Sequence, residues 1–172
     1  MRYGARAFFI GAGLIALTAC DYWVGDPAAP LPDQGAWLVL PMRSFVTNPD
    51  VRVDGMQLCT LAKCGYDAAI ERFTATGAEA TALERSLAEP RQIARAIDRP
   101  ERGATTPPPK VDVENFGNGA WTGLHLTMTG GKKARHVDGY VVSRRSQAGT
   151  TFIVVIAADE AVSKRLVLSA TQ

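Results

Sequence analysis

The sequence predicts an α+β fold in which two to three helices pack on a small antiparallel sheet. The strongest indication comes from the C-terminal half, where turn-like segments at 130–133 and 146–149 separate three strand-like runs and predict a three-stranded meander. Apolar residues recur at helical spacing between residues 76 and 98 and again after Asp159, and these segments predict the helices.

The first twenty residues carry features in the order typical of an export signal. Arg2 and Arg6 precede an apolar run of eleven residues, 7–17. Small residues then lead to Cys20. A membrane-spanning helix needs about 20 apolar residues. Residues 1–19 are therefore predicted to be a signal peptide that is removed. An ordinary secretory signal with a chance cysteine is the alternative.

The end of this signal carries a more specific motif. Leu17-Thr18-Ala19-Cys20 resembles the lipobox of bacterial lipoproteins, and the resemblance covers only these first twenty residues. It implies cleavage before Cys20, acylation of Cys20 with fatty acids such as palmitate, and a membrane-anchored protein of the cell envelope with its domain in the periplasm. Asp21 resembles the inner-membrane retention signal of enteric lipoproteins, so the inner membrane is favoured over the outer membrane.

The predicted mature chain is balanced in charge and long enough for one domain. The full chain has 19 basic and 17 acidic residues, and removal of Arg2 and Arg6 leaves 17 against 17, a neutral mature chain. This balance does not favour nucleic acid as a partner. The proline-containing segment 20–35 is predicted to be a tether, and 36–172 a single globular domain with a Pro-rich loop at about 99–110.

Two cysteines remain after Cys20. Cys59 and Cys64 form an even pair, which predicts a disulfide in an oxidising compartment. Free thiols or a redox-active pair are alternatives, although the spacing is not C-x-x-C. A zinc site is not predicted, since no histidine lies near this C-x4-C pair in the sequence.

Short strands are predicted before residue 76. The stretch 37–46 is strand-like and is interrupted by Pro41. Residues 51–53 and 56–58 are predicted to be two short strands around a tight Asp54-Gly55 turn. The stretch 69–76 is ambiguous between strand and helix.

Three helices are predicted from their end signals. Thr76 and Glu79 have the spacing of a capping box before one helix. Pro90 suits the first position of a second. Asp159 is suited to cap a final helix with Val162 and Leu166 on its inner side.

The two turns of the meander predict its registers. A simple hairpin at the first turn pairs Leu126 with Val137. One at the second turn pairs Val141 with Val154. Both registers place the same apolar side chains on one face: Leu124, Leu126, Met128, Val137, Val141, Phe152, Val154 and Ile156. The other face is largely polar: Trp121, His125, Thr127, His136, Asp138, Tyr140 and Arg144. The last strand is apolar on both sides, so it is predicted to be central.

The polar face carries the candidate chemistry. His125 and Asp138 are predicted cross-strand neighbours, as in the second half of a catalytic triad. A nucleophile is missing, because Ser143 belongs to the opposite face. Trp121, His125, Asp138 and Tyr140 are the candidate ligand or partner face. His136 could join His125 and Asp138 around a metal, but a polar surface is the favoured interpretation, and no metal or cofactor is predicted.

A second charged group flanks the turns of the meander. Lys132, Lys133, Arg135, Arg144 and Arg145 could form a basic rim near an anionic membrane, although a plain solvated surface is favoured. Taken together, the residues predict a non-enzymatic envelope lipoprotein that serves as a protein-interaction or envelope-assembly module. The alternatives are a small-ligand-binding or hydrolytic domain that uses the face around His125 and Asp138, and a structural role at the membrane surface.

Overall fold

The structure is a computed structural model that describes residues 37–40, 47–97, 109–130 and 135–172. The predicted signal peptide 1–19, Cys20, the tether 20–35, most of the Pro-rich loop and the segment 131–134 lie outside the described residues. So does Pro41.

Strands make up most of the described residues. They are β1 (Leu38–Leu40), β2 (Val51–Cys59), β3 (Ala68–Ala75), β4 (Lys110–Asn118), β5 (Trp121–Gly130), β6 (Arg135–Ser146) and β7 (Gly149–Ala157). The helices in the same ranges are α1 (Leu61–Cys64), α2 (Gly77–Leu87), α3 (Pro90–Ile97) and α4 (Glu160–Ala170).

The predicted small sheet built on a three-stranded meander is wrong. All seven strands form one antiparallel sheet in the order β1-β2-β3-β7-β6-β5-β4. The meander is real, but β4 extends it at one edge and the three N-terminal strands join it at the other. The predicted central position of β7 is confirmed.

The N-terminal strands are longer than predicted because a bulge resembles a turn in sequence. Asp54-Gly55 does not close a hairpin. It lies inside the continuous strand β2, where the pairing with β3 shifts between Val53 and Gly55. At the other edge, β4 alternates exposed charged residues such as Asp112 and Glu114 with half-buried valines, which is the pattern of a protected edge strand.

One predicted register of the meander is confirmed and the other is displaced. Val141 pairs with Val154 as predicted. Leu126 pairs with Gly139 and not with Val137, because the ladder between β5 and β6 ends at the pair Gly130 and Arg135. The displacement is two residues, and side chains alternate with period two. The predicted membership of the two faces therefore survives.

A close approach of β5 and β6 requires glycine at position 123. A Cβ atom added to Gly123 would lie 2.0 Å from the backbone oxygen of Val141 and 2.7 Å from the Cα of Val142. Both distances are far below van der Waals contact. Gly123 therefore permits the spacing of these two strands.

The C-terminal helix α4 covers one face of the sheet. Asp159 caps this helix as predicted, since its side chain accepts a hydrogen bond from the Val162 backbone N–H. Leu166 and Val167 on the inner side of α4 are buried in a core shared with five strands. The buried members of this core are Trp37, Cys59, Ala68, Ile70, Trp121, Tyr140, Val142, Ile153, Val155, Ala157, Leu166 and Val167.

Helix α2 covers the other face, and α3 packs against β4. Both helices lie where the spacing predicted them, and Pro90 begins α3. Thr76 stands at the N-cap of α2, but its side chain makes no capping hydrogen bond. The core under α2 contains Val51, Val53, Phe73, Ala75, Ala80 and Phe152, with Leu83, Leu87 and Val154 packed against it. Phe73 and Phe152 stack with ring centroids 5.1 Å apart.

The two ends of the sheet differ in what they carry. The entry end is the one where the chain enters β1 beside the end of β2, at Trp37 and Cys59. The far end carries the turn between β6 and β7, at 146–149, and the beginning of β5 at Trp121.

Candidate functional site

Asp138 on β6 is the centre of the polar group predicted from sequence. Its side chain is fully buried. One carboxylate oxygen, Oδ2, lies 2.8 Å from His125 Nε2 and accepts a hydrogen bond from Thr127 Oγ1 at 3.3 Å. The other, Oδ1, accepts a hydrogen bond from Ser163 on α4.

This arrangement joins three elements. His125 and Thr127 come from β5, Asp138 from β6, and Ser163 from α4. A buried carboxylate is tolerated only when its oxygens are paired, and here both are. The network therefore fastens the C-terminal helix to the sheet.

One aromatic ring packs against His125, and a second packs against the first. The rings of His125 and Tyr140, which pair directly across the strands, stack with centroids 4.5 Å apart and an interplanar angle of 13°. Phe116 of β4 meets the Tyr140 ring edge-on at 4.8 Å. The His125 side chain keeps 16% of its surface exposed. On its outer side it pairs with Glu114 of β4.

Tyr140 is held in its neutral form. Burial raises the pKa of its hydroxyl to about 12, and the negative charges of Asp138, Glu160 and Glu114 act in the same direction. The phenol therefore stays protonated at physiological pH, and this ring contributes packing and not a base.

The geometry differs from a hydrolytic triad. A triad needs the serine hydroxyl on the imidazole, with the carboxylate behind it. Ser163 instead binds the carboxylate, and its hydroxyl also lies 3.0 Å from the Glu160 carbonyl oxygen. Ser143 lies on the opposite face, as predicted, with its hydroxyl toward the Thr122 carbonyl. The histidine thus has neither serine as a nucleophile to activate.

The candidate ligand or partner face is largely covered. The core under α4 contains Trp121 and Tyr140. Asp138 is fully buried as well. Arg144 lies over the Trp121 ring, 4.6 Å from its centroid. Only His125 of the four keeps an exposed part, so a ligand could reach this group only through the His125 edge. The polar residues look solvent-facing in sequence because their hydrogen-bond partners come from a helix distant in the chain.

The possible metal group does not assemble. His136 is exposed and pairs with Thr129, two residues further from His125 than the predicted register allowed. Within the described ranges, no three histidine, cysteine or acidic side chains are placed to hold a metal ion.

The possible basic rim is divided. Lys132 and Lys133 lie outside the described residues, as does the side chain of Arg135. Arg144 points to the α4 face over Trp121. Arg145, its neighbour in β6, lies on the other face and pairs with a carboxylate there.

That carboxylate is Glu84 of α2, which sequence inspection missed. Glu84 accepts hydrogen bonds from Arg145 and from Thr150 Oγ1 at 2.8 Å. The hydrogen bonds from Arg145 are the largest cause of its lowered pKa, and partial burial opposes them. The sequence feature that could have indicated Glu84 is an acidic residue at the edge of the apolar side of a predicted amphipathic helix.

An open groove of about 640 Å³ lies beside this pair at the far end, on the α2 face. Its lining is Glu84, Leu87, Ala88, Asn115, Ala120, Thr122, Gly123, Ser143, Arg144 and Arg145. The volume falls in the range of small-molecule sites. Glu84 and Arg145 neutralise each other, and the Arg144 charge lies over Trp121. The rest of the lining combines apolar surface with the uncharged polar groups of Asn115, Thr122 and Ser143.

The predicted disulfide is present. Cys59 and Cys64 are bonded, with their Cα atoms 6.0 Å apart, and they bracket the single turn α1 at the entry end. The backbone N–H of Leu61 donates to Asp67 Oδ1 at 2.7 Å, and Gly65 ends the turn in the left-handed conformation. Cys20 lies outside the described residues.

Ser163 was the other residue that sequence inspection missed. It stands on the inner side of α4 with Leu166 and Val167, at helical spacing. A polar residue within an apolar helix stripe signals a buried hydrogen-bond partner. That signal was present but does not name the partner.

Comparison with known proteins gives no match. No protein-family model, no curated protein and no solved structure matches this chain. Among the described residues, no helix is long and apolar enough to cross a membrane.

Proposed function

We propose that this chain is the precursor of a bacterial lipoprotein whose domain acts as a non-enzymatic protein-interaction or envelope-assembly module. Acylated Cys20 holds the mature chain on the membrane, the tether 20–35 spaces the domain from it, and the domain lies in the periplasm. Asp21 favours the inner membrane. The basis is the signal-like N-terminus and the lipobox Leu17-Thr18-Ala19-Cys20.

The observation that carries the proposal beyond the signal is the bond between Cys59 and Cys64. Structural disulfides persist in oxidising compartments and are rare in the cytosol. The periplasm is such a compartment. A disulfide in the domain and a lipobox at the N-terminus therefore favour the same location independently.

The interaction role is favoured by how the polar groups of the domain are used. The candidate catalytic pair His125 and Asp138 fastens α4 to the sheet. Among the described residues, a concave surface that this network does not fill is the groove at the far end. Its lining residues come from the end of the sheet opposite Trp37, which favours a partner in the periplasm.

Metabolic labelling with an alkyne fatty acid tests the anchor. The native protein and the double variant Cys59→Ser/Cys64→Ser should both take up label, whereas Cys20→Ser should lose it. The double variant is the matched control, because it also removes thiols but leaves the lipobox. Membrane-derived protein whose intact mass starts at Met1 without acyl groups would refute the lipoprotein assignment.

The same strains test the interaction role. Chemical crosslinking in intact cells should yield a discrete heteromeric adduct with the native protein and a reduced yield with Cys20→Ser, because the anchor confines both partners to one surface. Only background adducts from the native protein would count against an interaction module.

A further inference from the structure

We propose that the entry end of the domain rests on the bilayer surface, with the exposed side chain of Leu61 as its contact point. This orientation rests on the proposed lipid anchor at Cys20. It gives the disulfide-closed turn α1 a role in membrane contact. The lipoprotein assignment alone does not imply such a role.

The first described residue lies at this end. Leu38 pairs with Leu58, so Trp37 lies beside Cys59, and the proposed tether joins the domain at this residue. Residues 21–36 between Cys20 and Trp37 would span about 50 Å as a proline-stiffened spacer. The nine-residue strands measure about 30 Å. The far end is also within reach of the membrane, so a surface preference must decide the orientation.

Leu61 supplies that preference. It is 62% exposed, and the described residues contain only one other large exposed hydrophobic side chain, Leu168 at 38%. The turn that presents Leu61 is already ordered by the disulfide and by Asp67. Insertion of this side chain into the headgroup boundary therefore requires little further ordering of the protein.

Leu168 provides an internal comparison at the opposite end. It stands near the end of α4, where Thr171 accepts a hydrogen bond from the Asn118 side chain at the end of β4. The two exposed leucines therefore mark the two ends of one domain.

Charges of both signs lie at this end. Lys63 lies beside Leu61 and Arg165 lies over the Tyr66 ring, while Asp67, Asp159 and Glu160 carry acidic groups at the same end. The attraction is apolar, so it should be similar on neutral and anionic lipid. A contact that required anionic lipid and weakened with salt would instead point to basic side chains.

Paramagnetic relaxation from spin-labelled lipid headgroups tests the orientation. Residues 20–172, with the Cys59–Cys64 bond intact, are coupled through Cys20 to a maleimide lipid in phosphatidylcholine nanodiscs. The Leu61 methyl signals should lose at least twofold more intensity than those of Leu168. Equal losses, a greater loss at Leu168, or no loss at either leucine would overturn the orientation.

Two exposed-site variants complete the test. Leu61→Ser should at least halve the relaxation effect on the neighbouring Ala62 amide, while Leu168→Ser should leave it unchanged. An unchanged effect in Leu61→Ser would remove Leu61 as the contact. Because chemical coupling bypasses natural acylation, failure here is distinct from failure of the labelling experiment.

Discussion

At the scale of the residue, Asp138 shows how a polar side chain can be structural while resembling a catalytic one. Strand alternation predicted that it shares a face with His125, but the predicted direct pairing of the two residues is wrong, because His125 pairs with Tyr140 and Asp138 pairs with Thr127. Its third partner, Ser163, could not be predicted, because that serine is 25 residues away on a helix whose docking face depends on the whole sheet. The sequence therefore contained the pair but not the role.

Asp138→Ala should destabilise the domain by roughly 3 kcal/mol or more, because three hydrogen-bonding groups lose their buried partner. Chemical denaturation gives the free energy of unfolding. Asp112→Ala is the matched control, since its 63% exposed side chain makes a surface ion pair with Lys110 and should cost at most about 1 kcal/mol. Equal losses in the two variants would mean that the network contributes little.

Glu71 on β3 offers a pH-dependent prediction. Burial raises the pKa of its carboxyl above the ordinary 4.5, so the folded state disfavours the charged form. Glu71 therefore costs stability at neutral pH, and this cost disappears as the pH falls below 4.5. Glu71→Gln should raise the urea midpoint at pH 7 and have a smaller effect at pH 4. A lower midpoint at pH 7 would contradict this.

At the scale of the element, alternation and end signals predicted more than turn chemistry did. The helices α2, α3 and α4 begin where Thr76, Pro90 and Asp159 indicated. The register of β6 with β7 was also predictable. Asp54-Gly55 misled, because the same dipeptide suits a tight turn and a bulge. Whether a strand continues through it depends on the pairing with β3, which is not local information.

Gly123 is the position in the strands where a single methyl group should matter most. Gly123→Ala would place its Cβ against the backbone of β6, so we expect a loss of about 3 kcal/mol or more in the free energy of unfolding. Gly117→Ala is the control, because its nearest neighbour would be 3.8 Å away. Thermal unfolding of both variants decides the matter, and similar midpoints would show that β5 and β6 can separate without cost.

At the scale of the whole molecule, the sheet is larger than the sequence predicted because its halves meet out of chain order. On one side β3 pairs with β2, the strand before it in sequence. On its other side it pairs with β7, which begins at Gly149, 74 residues after β3 ends at Ala75. Local patterns describe hairpins well, and β4–β5, β5–β6 and β6–β7 are all consecutive. Local sequence patterns contain no signal for a pairing between strands that are distant in the chain, such as β3 and β7.

The central place of β7 also has a consequence for the order of events after synthesis. β3 and β6 each lack one of their two neighbours, β7, until residues 149–157 have been made. Helix α4 follows later still. An emerging chain can form neither the joined sheet nor the α4-covered core until β7 and α4 have left the ribosome. The pairs β2–β3, β4–β5 and β5–β6 can form earlier, so β7 acts as the closing piece that turns two separate groups of strands into one sheet.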